Sequence, residues 1–141
     1  MMMPVESFKI LDSGMHVPDD TSDFQVAVWA HLVLPEPPTV NTYWRIMRNR
    51  AVKTDEARAY ATRVMVAGRN AKVQRTAKPV AVTMHWYRKR KAGDLDNRAK
   101  VMLDALQGVA YENDNQVIEL HMYRHDDAKN PRMEVVIREC A

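Results

Sequence analysis

Apolar positions recur in alternation from Val26 to Leu34, with Val26, Val28, Ala30, Leu32 and Leu34 on one side and Ala27, Trp29, His31 and Val33 on the other. Both sides are largely apolar, which predicts an interior strand. Pro35, Pro37 and Pro38 end it, because proline cannot donate to a sheet ladder and turns its predecessor away from helix. A loop through Asn41 follows. Thr54-Asp55-Glu56 has the form of an N-cap followed by first-turn acids, and Ala57, Tyr60, Ala61, Val64 and Ala71 share a face, so a helix is expected over about 55–75. Val80, Val82, Met84 and Trp86 alternate with Ala81, Thr83, His85 and Tyr87 in a second strand. Leu95, Ala99, Met102, Leu106 and Val109 form an amphipathic stripe, predicting a helix over about 97–108 with Gly108 near its stop. Two strands close the chain, near 117–125 with Ile118, Leu120 and Met122 inward, and near 132–139 with Met133, Val135 and Ile137 inward. The turn-like Asp126 to Pro131 between them suggests an antiparallel hairpin. The expected fold class is α/β (α+β): a small mixed sheet with helices packed on it, in the order β-α-β-α-β-β.

With 141 residues the chain is long enough for one domain with a real core and too short for two. Residues 1–23 lack sustained periodicity and read as a flexible extension, leaving 24–141 as the domain. No uncharged apolar run approaches the roughly 20 residues of a membrane span, and no positive segment followed by an apolar run marks a leader. Cys140 is the single cysteine, without a disulfide partner, which fits a reducing, cytoplasmic setting. The formal charge of +3 understates the basic character of the domain: residues 1–25 carry −4, so the remainder carries +7. Arg45, Arg48, Arg50 and Lys53 form one cluster without an acid, and Arg88, Lys89, Arg90 and Lys91 form an unbroken run. These are either solvated surface or a polyanion site.

Asp94-Leu95-Asp96 falls between a strand end and a helix start. In extended or turn backbone, positions i and i+2 point the same way; on a helix they diverge by about 200°. Two converging carboxylates repel unless a cation or proton lies between them, and Mg²⁺ suits them because it takes few hard oxygen ligands and fills the rest with water and phosphate. Metal-assisted phosphodiester hydrolysis needs an acidic centre within a basic rim of this kind. The plainer alternative is that one of the aspartates caps the helix. An EF-hand is excluded, since its sixth and twelfth positions would be Ala99 and Ala105 instead of glycine and glutamate. Lys100 either reaches a phosphate or pairs with Asp104 one turn on. Asp114 lies in a polar loop before the third strand, and its relation to the acidic pair depends on the sheet order. His121 and His125 have helix-type zinc spacing but sit on a strand, about 13 Å apart, and read as surface residues.

The block Leu34-Pro35-Glu36-Pro37-Pro38-Thr39-Val40-Asn41-Thr42-Tyr43-Trp44-Arg45, followed by Asp94-Leu95-Asp96-Asn97, Lys100, Asp104-Ala105-Leu106 and Asn113-Asp114-Asn115-Gln116-Val117, resembles in order and spacing the RusA family of Holliday junction resolvases, over roughly residues 26–139. The resemblance implies a homodimeric, Mg²⁺-dependent endonuclease, with Mn²⁺ able to substitute, that makes paired nicks in four-way DNA junctions. It maps three catalytic, metal-binding carboxylates onto Asp94, Asp96 and Asp114, the essential lysine onto Lys100, and a supporting or DNA-contacting asparagine onto Asn41. Arg45, Arg48, Arg50, Lys53 and Arg88 to Lys91 would hold the DNA arms. Glu36 departs from the family's aromatic, Thr39 from serine and Asn113 from an acid. A non-catalytic branched-DNA-binding module and a nuclease for other branched DNA are the alternatives.

Overall fold

The computed structural model describes residues 28–140; the expected extension and the start of the first strand lie outside them. The elements are β1 (Val28–Leu34), α1 (Val40–Tyr43), β2 (Trp44–Met47), β3 (Arg50–Lys53), α2 (Asp55–Asn70), β4 (Val80–Arg88), α3 (Leu95–Leu106), β5 (Val117–Asp126) and β6 (Arg132–Glu139), with a single 3-10 turn at Asp114–Gln116. The α+β class and the expected order hold, with a small hairpin added between the first strand and the long helix.

Four strands form one sheet in the order β1-β6-β4-β5. β4 sits at its centre, and Val80, Val82, Met84 and Trp86 are fully buried against the helices together with Met133, Val135 and Ile137 of β6. Tyr60 and Val64 of α2 and Met102 and Leu106 of α3 complete this core. The sheet order corrects two expectations. β1 is an edge strand among the described residues, paired only with β6. β5 and β6 do not form a hairpin: β4 lies between them, parallel to β5 and antiparallel to β6. The link from Asp127 to Pro131 crosses the end of β4, where the Asp127 amide donates to the Arg88 carbonyl at 3.1 Å and Arg132 ties down the Asp127 side chain at 3.0 Å. Ile118 is not inward. It occupies a register shift opposite Val80 and Ala81 and is 60% exposed, while Leu120 is also largely exposed on this edge strand.

The long helix begins where Thr54 predicts it, with the Thr54 hydroxyl accepting from the Ala57 amide at 3.1 Å. It stops at Asn70 rather than 75, because Lys72 turns left-handed with φ 59°. α3 likewise starts two residues earlier than expected and ends at Leu106. The hairpin β2–β3 closes through Arg48 and Asn49, both with positive φ (51° and 62°), the geometry of a two-residue hairpin turn whose twist matches its strands.

Candidate active site

The chain leaves the centre of the sheet at Arg88 and enters α3 at Leu95, so the acidic pair stands at the C-terminal end of β4. Asp94 has extended backbone (φ −86°, ψ 143°) and occupies the N-cap position, yet its carboxylate makes no capping hydrogen bond. Asp96 is already in the first helical turn, so the extended geometry expected for both residues holds only for Asp94. Both side chains are exposed, and neither has a hydrogen bond or ion pair among the described residues. Two uncommitted carboxylates at the positive end of a helix are a donor set suited to a hard divalent cation.

The segment in front of them is clamped from below. Trp86 is fully buried, and its indole N–H donates to Glu36 at 2.8 Å. Glu36 also accepts from the Lys89 amide at 3.2 Å. The Arg98 guanidinium lies over the Trp86 ring, 4.8 Å from its centre, and donates to the Pro37 carbonyl. Gly93 takes φ 98°, and a Cβ there would stand 3.2 Å from the Trp86 ring. Sequence reasoning missed this frame. Its one available signal was Arg98, a basic residue within the apolar stripe between Leu95 and Met102.

Lys100 lies one turn beyond Asp96 on the same face and is exposed, with no ion pair among the described residues. Its alternative partner is taken. Asp104 binds the Lys53 ammonium at 2.9 Å and accepts from the Tyr43 hydroxyl. Burial and the Asp104 carboxylate together hold the Tyr43 phenol well above its ordinary pKa. Lys53 therefore anchors the base of the hairpin to α3, and its charge is committed within the chain. Gln107, just past the helix, donates to Asp104 at 3.3 Å and accepts the Asp114 amide at 3.0 Å.

That last bond fixes where the third expected carboxylate lies. Asp114 is exposed at the foot of α3, in a 3-10 turn that Asn113 and Gln116 close by a reciprocal capping box. Asn113 accepts from the Asn115 amide at 2.9 Å, which an asparagine oxygen does without adding a charge beside Asp114. Asp94 and Asp96 stand at the head of the same helix, and 12 helical residues span about 18 Å. Among the described residues no three His, Cys, Asp or Glu side chains gather closely enough to hold a metal ion. A single chain thus sets Asp94 and Asp96 at one end of α3, with Lys100 one turn further along it, and leaves Asp114 at the other end.

The basic residues divide in the same way into bound and free. Arg88 is committed to Asp126, whose carboxyl it holds below the ordinary range by a hydrogen bond. Lys89, Arg90 and Lys91 are exposed beside the acidic pair, and Lys89 and Arg90 line a cleft of about 440 Å³ with Glu36, Thr39, Gly93 and Arg98. Arg45, Arg48 and Arg50 are exposed on the hairpin, and Asn41 is exposed on α1. His121 faces Glu119, while His125 bonds to His85 at 2.8 Å in a stack with Tyr87 and Tyr123; the histidines are parts of the sheet's outer face, not a zinc pair.

The family model for endodeoxyribonuclease RusA matches residues 35–138, a span that contains every element of this site. The chain belongs to the RusA family of endodeoxyribonucleases. It is 32% identical over 111 residues to the crossover junction endodeoxyribonuclease RusA of Escherichia coli K12, covering 77% of this chain and 92% of that protein. The enzyme of the same name from Enterobacteria phage 82 is 31% identical over 113 residues, covering 77% and 93%. The match to RusA endonucleases therefore runs through the proline block, the hairpin, α3 and the Asp114 turn alike. No helix of the described residues is long and apolar enough to cross a membrane.

Proposed function

We propose that this chain is a Holliday junction resolvase that acts as a homodimer in the cytoplasm, hydrolysing one phosphodiester in each of two strands of a four-way DNA junction. The observation that carries the reading is the uncommitted Asp94–Asp96 pair with a free Lys100 one turn below, inside the span shared with the crossover junction endonucleases.

Asp94 and Asp96 would hold Mg²⁺, with Mn²⁺ as a substitute, because both carboxylates are exposed, unpaired among the described residues, and set where a loop braced by Trp86, Arg98 and Glu36 enters α3. Such an ion, when bound, polarises the scissile phosphate and acidifies water. Lys100 stabilises the negative charge that develops on the phosphate oxygens. Lys89, Arg90 and Lys91 hold the strand that passes the site, while Arg45, Arg48, Arg50 and Asn41 hold the arms. The partner subunit's Asp114 supplies the third carboxylate: the roughly 18 Å of α3 separates a chain's own Asp114 from its pair, and two antiparallel copies of α3 about a two-fold axis set the foot of one beside the head of the other.

Cleavage of a synthetic four-way junction, a flap and a plain duplex in Mg²⁺, compared with the Asp96→Asn variant, tests the reading. Paired nicks in the junction that vanish in Asp96→Asn, with junction binding kept, are expected. Salt-sensitive binding without product in Mg²⁺ or Mn²⁺ would identify a non-catalytic module instead, and preference for the flap would identify another branched-DNA nuclease.

A further inference from the structure

The hairpin β2–β3 stands out from the domain as an exposed two-stranded ribbon. Lys53 and Trp44 fasten its base, the first to Asp104 and the second by an edge-on contact with the Tyr43 ring at 5.5 Å. Beyond that base the register pairs Ile46 with Ala51 and Met47 with Arg50. Ile46 is therefore on the same ribbon face as Lys53, the face turned toward α3, and still it is 80% exposed; Met47, on the reverse face, is 48% exposed. Around these two apolar side chains are Arg45, Arg48 and Arg50, and residues 44–53 contain no acid. An isolated ribbon of this length gains little stability from exposing isoleucine and methionine at its tip. A surface that combines protruding apolar side chains with three exposed guanidiniums, unpaired among the described residues, matches a ligand that is polyanionic outside and apolar within. DNA is such a ligand, and apolar wedges between base steps are a recurring way to enter it.

We infer that the hairpin is a junction wedge: Ile46, with Met47 behind it, inserts against the unstacked bases at the crossover of the four-way junction while Arg45, Arg48 and Arg50 grip the flanking phosphates. The crossover is the favoured point because stacking is already interrupted there, so entry costs least. This rests on the junction-resolving reading, and it assigns the hairpin a role separate from the acidic site. The anchoring of Lys53 on Asp104 sets the wedge at a fixed distance from α3, so the crossover is registered against the carboxylates.

The test uses the full chain, in EDTA to prevent cleavage, with a junction carrying 2-aminopurine at the crossover, or within an arm as control. Stacking quenches this base, so insertion raises its emission. The expected result is a rise at the crossover and none in the arm. Ile46→Ala should lose at least half of that rise while its dissociation constant stays within about threefold of the parent's. Ile46→Phe should keep the rise. Ile46 is largely exposed and lies outside the buried core, so the folded state is checked simply by an unchanged melting temperature. An undiminished rise in Ile46→Ala overturns the wedge, as does a parent protein that binds and cuts junctions without any rise. A fall in molecular mass of Ile46→Ala would show that the hairpin covers a second copy of the chain, and would overturn it too. A parent that neither binds nor cuts junctions would remove the underlying reading instead.

Discussion

Mixing two dead variants should restore activity. If the acidic pair of one subunit works with the partner subunit's Asp114, Asp96→Asn and Asp114→Asn each destroy both sites of their own homodimer. A heterodimer of the two differs. One of its sites joins the intact pair of the Asp114→Asn chain to the intact Asp114 of the other, and its second site carries both lesions. Random assortment of co-expressed chains makes about half of the dimers mixed, each with one sound site of two, so the mixture should contain about a quarter of the wild-type number of sites. The product should be a junction nicked in one strand, with paired cleavage absent, which a denaturing and a native gel of the same supercoiled cruciform plasmid distinguish. The reasoning is geometric: Gln107 holds the Asp114 amide at the foot of a 12-residue helix whose head carries Asp94 and Asp96. No side-chain rotation closes about 18 Å. An inactive mixture of proven heterodimers would refute it and would require α3 or the Asp114 turn to move on binding DNA.

Asp104 should prove a structural acid, unlike its neighbours on α3. Asp104→Ala leaves the Tyr43 hydroxyl, on a fully buried side chain, without its acceptor, a loss of about 2 kcal/mol, and the half-exposed Lys53 pair adds less than about 1 kcal/mol. Calorimetry should therefore show a melting temperature lower by roughly 8 °C, while Asp104→Asn, which keeps an acceptor, should lose less and should still cut junctions. Gly93→Ala should cost about 1–2 kcal/mol for its left-handed backbone and push the loop off Trp86, lowering cleavage more than junction binding. His31, whose pKa burial lowers against an opposing effect of Glu134, favours its neutral form in the folded state. The unfolded chain binds the extra proton, so stability should fall as pH drops from 6.5 toward the lowered value, and His31→Gln should flatten that part of the urea-midpoint profile.

What could be read in the sequence was what is local along the chain. Asp94, Asp96 and Lys100 fall within seven residues beside the stripe of Leu95, Ala99 and Met102, so their placement at a helix start was legible, although the helix begins at Leu95 rather than near 97 and takes in Asp96. The Thr54 cap was visible for the same reason. The hairpin was not, since strands of four residues carry little periodicity and Arg48-Asn49 lacks the glycine that usually signals such a turn. The last two strands read as neighbours because a five-residue connection is typical of hairpins, but the same length suffices to step over one intervening strand. The role of Asp104 was hidden because its partners Lys53 and Tyr43 are 51 and 61 residues away. The sheet order, likewise non-local, decided where Asp114 lies: β5 starts beside Val80, at the opposite end of β4 from the acidic pair.

That separation has a consequence for how a junction nuclease avoids damage. An enzyme whose full site formed within one chain could nick a single strand whenever a monomer met DNA, leaving a break without resolving the junction. Here the helix that presents Asp94, Asp96 and Lys100 also holds Asp114 too far away to join them, so on the proposed reading the described residues of one chain would form two half-sites and no complete site. On the proposed dimeric reading, two copies about a two-fold axis would complete both sites in the same step and would match a junction with the same symmetry. The hairpin is fixed to the last turn of that helix through Lys53 and Asp104, so on the proposed reading DNA gripped by Arg45, Arg48 and Arg50 would be referred to the axis along which the half-sites are spaced. Lengthening α3 by one turn beyond Asp104 would therefore do more than destabilise the core: it would shift each Asp114 by about 5.4 Å from the pair it is proposed to serve while leaving the hairpin on its Asp104 anchor. Binding should survive such an insertion, and both nicks should be lost together.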